Sequence, residues 1–506
     1  MYRSAYRVLM LLPLMFCSVG IYLAVRAWFS PQSTITVSTS TTWVTDHIDE
    51  NGFVDYEKAM NLKRSQSTPP DRNAALGLVK AFGIDSLAEK NRAQYLHDLQ
   101  TDVLEVVGDV EQSGADKRHF QNLSEFTNGK SATELLNRIN GQPSALDEQE
   151  TAQIKEWLAS NDLPVRAALA AIDLPDFYFP IHRDSVNEWV LVGNQPFLNK
   201  CRELSTFLNV RAMRALGDND IASAARDALA IRKLGRKLSN GATPFELYFS
   251  CEIELSAVVI EKQLLNCDTL TAEQLIAYRD QLQSLPPRGD MTEKLDSGLR
   301  MLMLDSVNKL AKIKNSKADS PQNHHPRHRD PFFLFQKFDV DFDEAMRQVN
   351  LRLDQVVQAV ERPCAQDQII ALRKIGLLPL QRPDAALALS LLMRSPSGRG
   401  QMLADLIGGY MLPAQEAFFL KASELVAYDR LIPLAFTIQA RYKDGNALPA
   451  IAAELNPEMP LSPYDLSPVV YEKTESGFRL LLTPPSDLRL SAGMQLPEVM
   501  VSCPKR

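Results

Sequence analysis

The chain has 506 residues, of which 45% are apolar and 23% charged, so most of it should form globular domains rather than stay disordered. Glycine is sparse, at 22 residues, and many stretches rich in Ala, Leu, Glu and Arg favour helices. The formal net charge of −7 gives no electrostatic footprint for nucleic acid, and we expect no nucleic-acid partner.

The first predicted element is a membrane anchor. Arg3 and Arg7 precede an uncharged run, VLMLLPLMFCSVGIYLAV over residues 8–25, which is long enough to cross a bilayer as a helix. The positive-inside rule then places the rest of the chain outside the cytoplasm. A cleaved signal peptide is the alternative, since residues 25–27 resemble a cleavage site. The length of the run favours an uncleaved, single-pass anchor in the inner (cytoplasmic) membrane with a periplasmic body.

Two features follow the anchor. Residues 33–45, STITVSTSTTWVT, are rich in Ser and Thr, which suits an extended, solvated tether or an added edge strand, and we interpret the segment as a stalk. Residues 46–61, DHIDENGFVDYEKAMN, resemble a calcium loop around Gly52, but its first and twelfth positions are His47 and Lys58, where oxygen ligands belong. The pattern therefore favours a turn at Asn51-Gly52, followed by a short helix capped by Asp55, and predicts no metal here.

Helices dominate the middle of the chain. Apolar spacing predicts helices that begin near Pro69 and Asp85, and others over 131–139, 147–160 and 164–172. The signal is strongest over 196–266, where the turn ALGDNDIASAARD predicts an αα-hairpin of the tetratricopeptide kind, without a second copy at the repeat spacing. Thr243-Pro244-Phe245-Glu246 is a capping box that starts the next helix.

The segment LPDFYFPIHRD, residues 174–184, interrupts this helical pattern. An aromatic pocket holding His182 and Asp184 would be a functional interpretation, and a loop held in place by its aromatic residues is the alternative. The second interpretation is favoured because no nucleophile motif accompanies the pair. No catalytic residue is assigned, and the chain offers no motif for a cofactor.

Two polar clusters further along suggest metal ligands. His324, His325 and His328 lie in a Pro-rich segment that predicts an exposed loop, where a metal would have to order its own ligands. The acidic stretch that includes Asp341 and Glu344 precedes strong helical spacing, so capping explains it better. Neither cluster is predicted to bind metal.

The remaining predictions are the state of the cysteines and the structure of the C-terminal part of the chain. Five cysteines lie outside the anchor, which predicts buried free thiols, although Cys201 could pair with Cys251 across two antiparallel helices. Helical spacing continues to about Lys443, and Pro433 is predicted to bend the last helix. After Lys443 the chain is Pro-rich, and VVYEK and FRLLL flank a turn, which predicts a β-hairpin with EVMVSC as a possible third strand.

The fold class expected is mainly α, with an N-terminal transmembrane helix, a helical ectodomain with αα-hairpins and a small C-terminal β-hairpin module. The predicted regions are an anchor at 1–30, a Ser/Thr-rich stalk and turn at 31–68, a helical domain at 69–313, an exposed loop at 314–331, a helical continuation at 332–443 and a Pro-rich segment with the β module at 444–506.

Three stretches resemble a group of uncharacterised, membrane-anchored bacterial proteins with helical ectodomains. They are TTWVTDHIDENGFVDYEKAMN, the run from EWLASNDLPVRAALAAIDLPDFYFP to RAMRALGDNDIASAARDALAIRKL, and the C-terminal piece. This resemblance implies an architecture and no catalytic residue.

The C-terminal piece is also similar to the helix-plus-hairpin end of type II secretion pseudopilins. The matching positions are Tyr442, Gly445, Pro449, Leu455, Pro463, Pro468, Tyr471 and Phe478. Ser462 stands where those proteins often have Asp, and the chain lacks both their Gly-Asp-rich calcium-binding end and their Gly-Phe-Thr-x-x-Glu start. The resemblance implies a small fold and no role in pilus assembly.

Two functions follow as hypotheses. The first is a binding or scaffold protein of the cell envelope, with the membrane and a protein or envelope component as partners. The second is an exported, hydrolase-like enzyme with a site near His182. No familiar motif of a hydrolase, metalloprotease or phosphate loop is present, which favours the first.

Overall fold

The structure is a computed structural model that describes residues 34–102, 119–123, 139, 148–183, 195–315, 332–375, 385–451, 454, 459–483 and 496–503. Its described residues are mainly helical, with one antiparallel sheet of three strands, as predicted. Residues 131–138 of the helix predicted over 131–139, the three-histidine segment and the apolar run over 8–25 lie outside the described residues. Among the residues that the structure describes, no helix combines the length and apolar composition that a membrane span requires.

The elements are numbered in chain order. The α-helices are α1 (Tyr56–Gln66), α2 (Ala74–Phe82), α3 (Arg92–Asp98), α4 (Glu148–Ser160), α5 (Asp162–Ile172), α6 (Gln195–Gly217), α7 (Ile221–Ser239), α8 (Pro244–Leu265), α9 (Ala272–Gln283), α10 (Met291–Glu293), α11 (Arg300–Asn315), α12 (Phe332–Phe335), α13 (Phe342–Val360), α14 (Ala365–Lys374), α15 (Ala385–Met393), α16 (Pro396–Met411) and α17 (Pro413–Lys443). The strands are β1 (Val470–Thr474), β2 (Gly477–Leu481) and β3 (Glu498–Ser502). A π-helical segment, Lys294–Leu299, joins α10 to α11.

The chain divides into two compact units, each made of separate segments. Unit 1 contains the described residues of Met1–Ala59, Leu299–Val356 and Ile375–Gln415, and unit 2 those of Met60–Gly298, Val357–Lys374 and Glu416–Arg506. The predicted regions were continuous stretches, whereas each unit gathers segments that are far apart in the sequence.

Unit 1 includes the segment that we predicted to be a solvated stalk. That prediction is wrong at Thr41 and Thr42, which are buried. The side chain of Asn350 donates to the carbonyl of Thr41 at 2.8 Å, and the hydroxyl of Tyr56 donates to that of Thr42 at 2.8 Å. The hydroxyls of Thr41 and Thr42 both donate to the carbonyl of Ser38. These hydrogen bonds satisfy polar groups that a buried segment of Ser and Thr would otherwise leave unpaired.

The Asn51-Gly52 turn forms as predicted. Gly52 has φ +82°, a conformation that glycine adopts without steric cost. The carboxylate of Asp49 accepts hydrogen bonds from the backbone amides of Asn51 and Phe53, at 2.9 and 3.0 Å. Asp55 caps α1 by accepting from the amide of Lys58 at 3.0 Å.

Unit 2 is centred on an aromatic core between α2, α4 and α6. Trp157 is fully buried, with its ring centroid 4.9 Å from that of Phe207, and its indole nitrogen donates to the carbonyl of Gln121 at 2.9 Å. Phe120 joins Phe207 to Phe82, at centroid distances of 6.0 Å each. Large edge-to-face aromatic contacts of this kind stabilise a core beyond their buried area.

Local sequence signals set most helix boundaries in unit 2. The capping box at the start of α8 is confirmed: Thr243 accepts from the amide of Phe245 at 3.2 Å, and Glu246 accepts from that of Thr243 at 3.0 Å. The predicted αα-hairpin is α6–α7, with Asn219 at φ +59° in its turn. The helix predicted from Asp85 is only partly correct, because two 3₁₀ turns precede the seven-residue α3.

The C-terminal sheet has the order β1-β2-β3, so both the predicted hairpin and the third strand are confirmed. The side chain of Asn266 accepts from the amide of Ser502 at 2.7 Å and donates to the carbonyl of Met500 at 3.3 Å. These contacts cover part of an edge that would otherwise be open to pairing with another strand.

Candidate functional site

The segment that contains His182 is held by two asparagine side chains. Asn73 donates to the carbonyl of Tyr178 at 2.8 Å and accepts from its amide at 2.9 Å. Asn61 makes the same pair of bonds to the carbonyl and amide of Ile181, both at 2.9 Å. Each asparagine thus pairs both the amide and the carbonyl of one residue in a buried, non-helical backbone, as a neighbouring β-strand would.

Aromatic contacts complete this arrangement. Phe179 stacks on Phe197 with ring centroids 4.1 Å apart, and the ring of Tyr95 lies edge-on to the ring of His182 at 4.7 Å. The interpretation of a loop held in place by aromatic residues is therefore confirmed for residues 174–183. Asp184 lies outside the described residues.

The carboxylate beside His182 is Asp98, which the sequence interpretation missed. Its Oδ2 lies 3.1 Å from Nε2 of His182, and its Oδ1 lies 2.9 Å from Nδ1 of His97. His182 is only 1% exposed, so a substrate has no access to its imidazole. Burial, with a contribution from the charge of Asp98, also raises the pKa of Tyr178 above its ordinary value. This cluster has the components of acid–base chemistry, but the imidazole of His182 is buried, whereas the side chain of His97 is 87% exposed.

A more accessible feature is a groove of about 940 Å³, which we call the α4–α7 groove. Its size falls in the range of ligand-binding clefts. Its lining residues are Lys155, Leu158, Ala159, Asp162, Arg166, Leu169, Arg211, Arg214, Ala215, Asp218, Asp220, Ser223, Arg226 and Asp227. They include five cations and four carboxylates, together with apolar side chains from α4, α5 and α6.

One ion pair in the groove is built into the fold. Arg211 binds Asp227 through two hydrogen bonds, Nε to Oδ2 at 2.8 Å and Nη2 to Oδ1 at 2.6 Å. Asp227 is 4% exposed, and burial raises its pKa despite the hydrogen bonds from Arg211. This pair is a fixed part of the wall, because removing either partner would leave a buried charge.

Three of the other groove cations have exposed side chains that a ligand can reach. The side chain of Arg166 is 72% exposed and pairs with Asp162 across one helical turn, and that of Arg214 is 45% exposed with its Nε 3.6 Å from Asp218. Lys155 is exposed, and it makes neither a hydrogen bond nor an ion pair with any residue in the described part of the chain. Exposed ion pairs contribute about 0–1 kcal/mol, so a ligand carboxylate can replace one at little cost.

A second group of charges lies between α7, α8 and α17. Arg232 binds Glu261 through Nε–Oε1 and Nη2–Oε2 bonds of 3.0 and 2.7 Å, and Arg288 binds Glu254 with bonds of 2.8 and 2.7 Å. Asp429 accepts from Arg232 at 3.1 Å and also from Arg236 and Arg288. We call these six residues the buried charge network.

The buried charge network satisfies itself. Burial alone would raise the pKa of Asp429, but the guanidinium groups around it lower that pKa below its ordinary value. Three guanidinium groups face three carboxylates, and Arg232, Glu254 and Glu261 are almost fully buried. The network holds helices together and needs no ligand to balance its charge.

The other sequence candidates have local roles. Asp341 caps α13 by accepting from the amide of Glu344 at 2.9 Å, so the capping interpretation is confirmed. Asp49 pairs with Lys312 at 2.7 Å. Five cysteines are free among the described residues, so the possible Cys201–Cys251 pair is not formed. The described part of the chain contains no cluster of three or more potential metal ligands.

The sequence carried a signal for the groove that we did not use. Arg211, Arg214 and Asp218 recur at three- and four-residue spacing on α6 and the turn that follows it, which puts them on one face.

Comparisons with protein-family models, curated proteins and solved structures find no match. The two resemblances stated above therefore remain predictions.

Proposed function

We propose that this chain is a binding protein of the bacterial cell envelope, anchored in the cytoplasmic membrane by residues 8–25, and that its α4–α7 groove holds an extended peptide segment of a partner protein. The observation that carries this proposal is the set of exposed cations, Lys155, Arg166 and Arg214, contributed by three helices around apolar lining residues.

The charges of the groove favour a peptide with both acidic and basic groups. The exposed cations can take the carboxylates of acidic side chains, and Asp162 and Asp218 can take an amine or a guanidinium group. Leu158 and Leu169 offer apolar contact to small side chains. A polyphosphate or a nucleic acid fits less well, because the four carboxylates of the lining would repel its phosphates.

The hydrolase alternative has weaker support. The candidate general base of this hydrolase would be His182, which is buried against Tyr95. The carboxylate that contacts His182 is that of Asp98 on α3. A general base must come within hydrogen-bond reach of the proton that it removes.

The test uses peptides selected on the full chain in detergent micelles. A phage library of random peptides is panned on the protein, and fluorescence anisotropy then gives the Kd of the peptides recovered. We expect Arg166→Glu/Arg214→Glu to weaken binding about tenfold or more, which corresponds to about 1.4 kcal/mol. Both side chains are largely exposed, so this variant should keep its fold.

The control is Arg202→Glu, which reverses one charge at an exposed position of α6 outside the groove. It should change the Kd less than twofold, in line with the small effect of an isolated surface charge (~0–1 kcal/mol). Added salt should weaken the wild-type complex. If no peptide is recovered, or if the groove variant and the control bind equally well, the α4–α7 groove is not the binding site.

A further inference from the structure

Helix α15 has an apolar face that unit 1 leaves uncovered. Its sequence, AALALSLLM, contains no charged residue. Leu387 and Leu391 are buried, whereas Leu389 is 60% and Met393 82% exposed. Residues four apart lie on the same side of a helix, so Leu389 and Met393 form one exposed apolar stripe. A helix that is apolar all round normally has both sides out of water.

The next helix adds the residue types of a membrane interface. The guanidinium Nε of Arg399 on α16 donates to the carbonyl of Leu391 at 2.7 Å, which links the end of α15 to the start of α16. Tyr410 on α16 is 57% exposed, and Arg394, directly after α15, is also exposed. Leucine and methionine enter the outer part of a bilayer, while tyrosine and arginine are favoured at its headgroups.

The sequence that precedes the described residues indicates that this surface contacts a lipid bilayer. The backbone amide of Thr36 donates to the carboxylate of Asp343 at 2.7 Å, so the first described residues are attached to unit 1. Only residues 26–33 separate them from the apolar run over 8–25. Eight residues reach at most roughly 28 Å when fully extended. An anchor in the bilayer therefore keeps unit 1 next to the lipid surface, where even weak contacts form readily.

We propose that α15 and α16 lie on the membrane, with Leu389 and Met393 inserted at the level where headgroups meet acyl chains and with Tyr410 and Arg394 among the headgroups. This step rests on the anchor included in the proposed function, and it is independent of the α4–α7 groove. The surface would fix the orientation of unit 1 on the bilayer.

The test places a tryptophan at the surface in the full chain. The protein is reconstituted into vesicles of phosphatidylethanolamine and phosphatidylglycerol that contain lipids brominated at known depths. The added fluorescence of Met393→Trp should be quenched most by bromine about 5–10 Å below the headgroups. Met500→Trp is the matched control, because Met500 is likewise exposed, at 56%, on β3 of unit 2.

Three further variants separate the proposed membrane surface from the anchor. Quenching of the native Trp28, obtained by difference from Trp28→Phe, reports whether the anchor is in the bilayer. The fluorescence of Tyr410→Trp should also be quenched, and Leu389→Glu/Met393→Glu should abolish that quenching while leaving Trp28 quenched.

Quenching at position 393 and not at position 500 supports the inference. If Trp28 is quenched while position 393 behaves like position 500, the anchor stands and the membrane surface is refuted, which would leave a protein partner for α15. If neither Trp28 nor position 393 is quenched, both the anchor and the surface are refuted. Quenching at position 393 without Trp28 would support the surface and refute the anchor.

Discussion

Replacing Asn73 by alanine should release the buried segment that contains His182. Oδ1 of Asn73 accepts from the amides of Tyr178 and Ala75, at 2.9 and 3.1 Å, and its Nδ2 donates to the carbonyl of Tyr178 at 2.8 Å. Asn73 and Tyr178 are each 2% exposed, so water cannot replace these bonds without local opening. Asn73→Ala removes all three.

The expected loss of stability follows from the two bonds to the backbone of Tyr178 and from the bond that caps α2. Each buried backbone group left without a partner costs about 1–3 kcal/mol, and the lost cap of α2 costs about 1 kcal/mol. With values near the middle of these ranges, the two backbone groups of Tyr178 and the lost cap together should lower the free energy of opening by about 5 kcal/mol, which corresponds to exchange of the protected amides faster by a factor of roughly 4,000.

Hydrogen–deuterium exchange of the full chain, read by mass spectrometry over residues 174–183, measures this opening. Asn61→Ala is the matched comparison, because Asn61 makes the same two bonds to Ile181 and caps no helix. It should accelerate exchange less than Asn73→Ala, by a factor that reflects the missing cap. Unchanged exchange in Asn73→Ala would refute the claim that these bonds hold the segment.

Two more predictions concern charged groups. Burial alone would raise the pKa of Asp49, but hydrogen bonds from Lys312 and from two backbone amides outweigh it, so the pKa lies below the ordinary value of 3.8. Because the pKa is lower in the folded state, Asp49 contributes stability above its unfolded value and loses it as the pH falls through the folded value. The urea midpoint should therefore drop below about pH 4 in the wild type and vary less in Asp49→Asn; equal pH dependence would contradict this reasoning. In the buried charge network, Arg232→Met should cost about 3–5 kcal/mol in urea unfolding, because it leaves Glu261 buried without its partner. Arg232→Met/Glu261→Gln should recover part of that loss, and a double variant no more stable than the single one would show that the pairing is not what stabilises the site.

The sequence by itself determined the features that depend on neighbouring residues. Gly52 has the positive φ that an Asn-Gly turn requires, Thr243 and Asp341 cap the helices that they were predicted to start, and two short apolar runs around a turn form β1 and β2. These structures are decided within a few residues by backbone geometry and by the first unpaired amides of a helix. A single sequence is sufficient to predict them.

Tertiary structure decided what lies beside each polar side chain. The partner of His182 is Asp98 on a separate helix, and that of Asp49 is Lys312 in a distant segment of unit 1. The α4–α7 groove exists only because four helices pack with their charged faces turned to one cleft. The predicted stalk became partly buried because Asn350 and Tyr56 supplied hydrogen bonds to its backbone. Such pairings depend on how helices pack across long separations in the chain, and helical spacing specifies only which face of each helix is apolar.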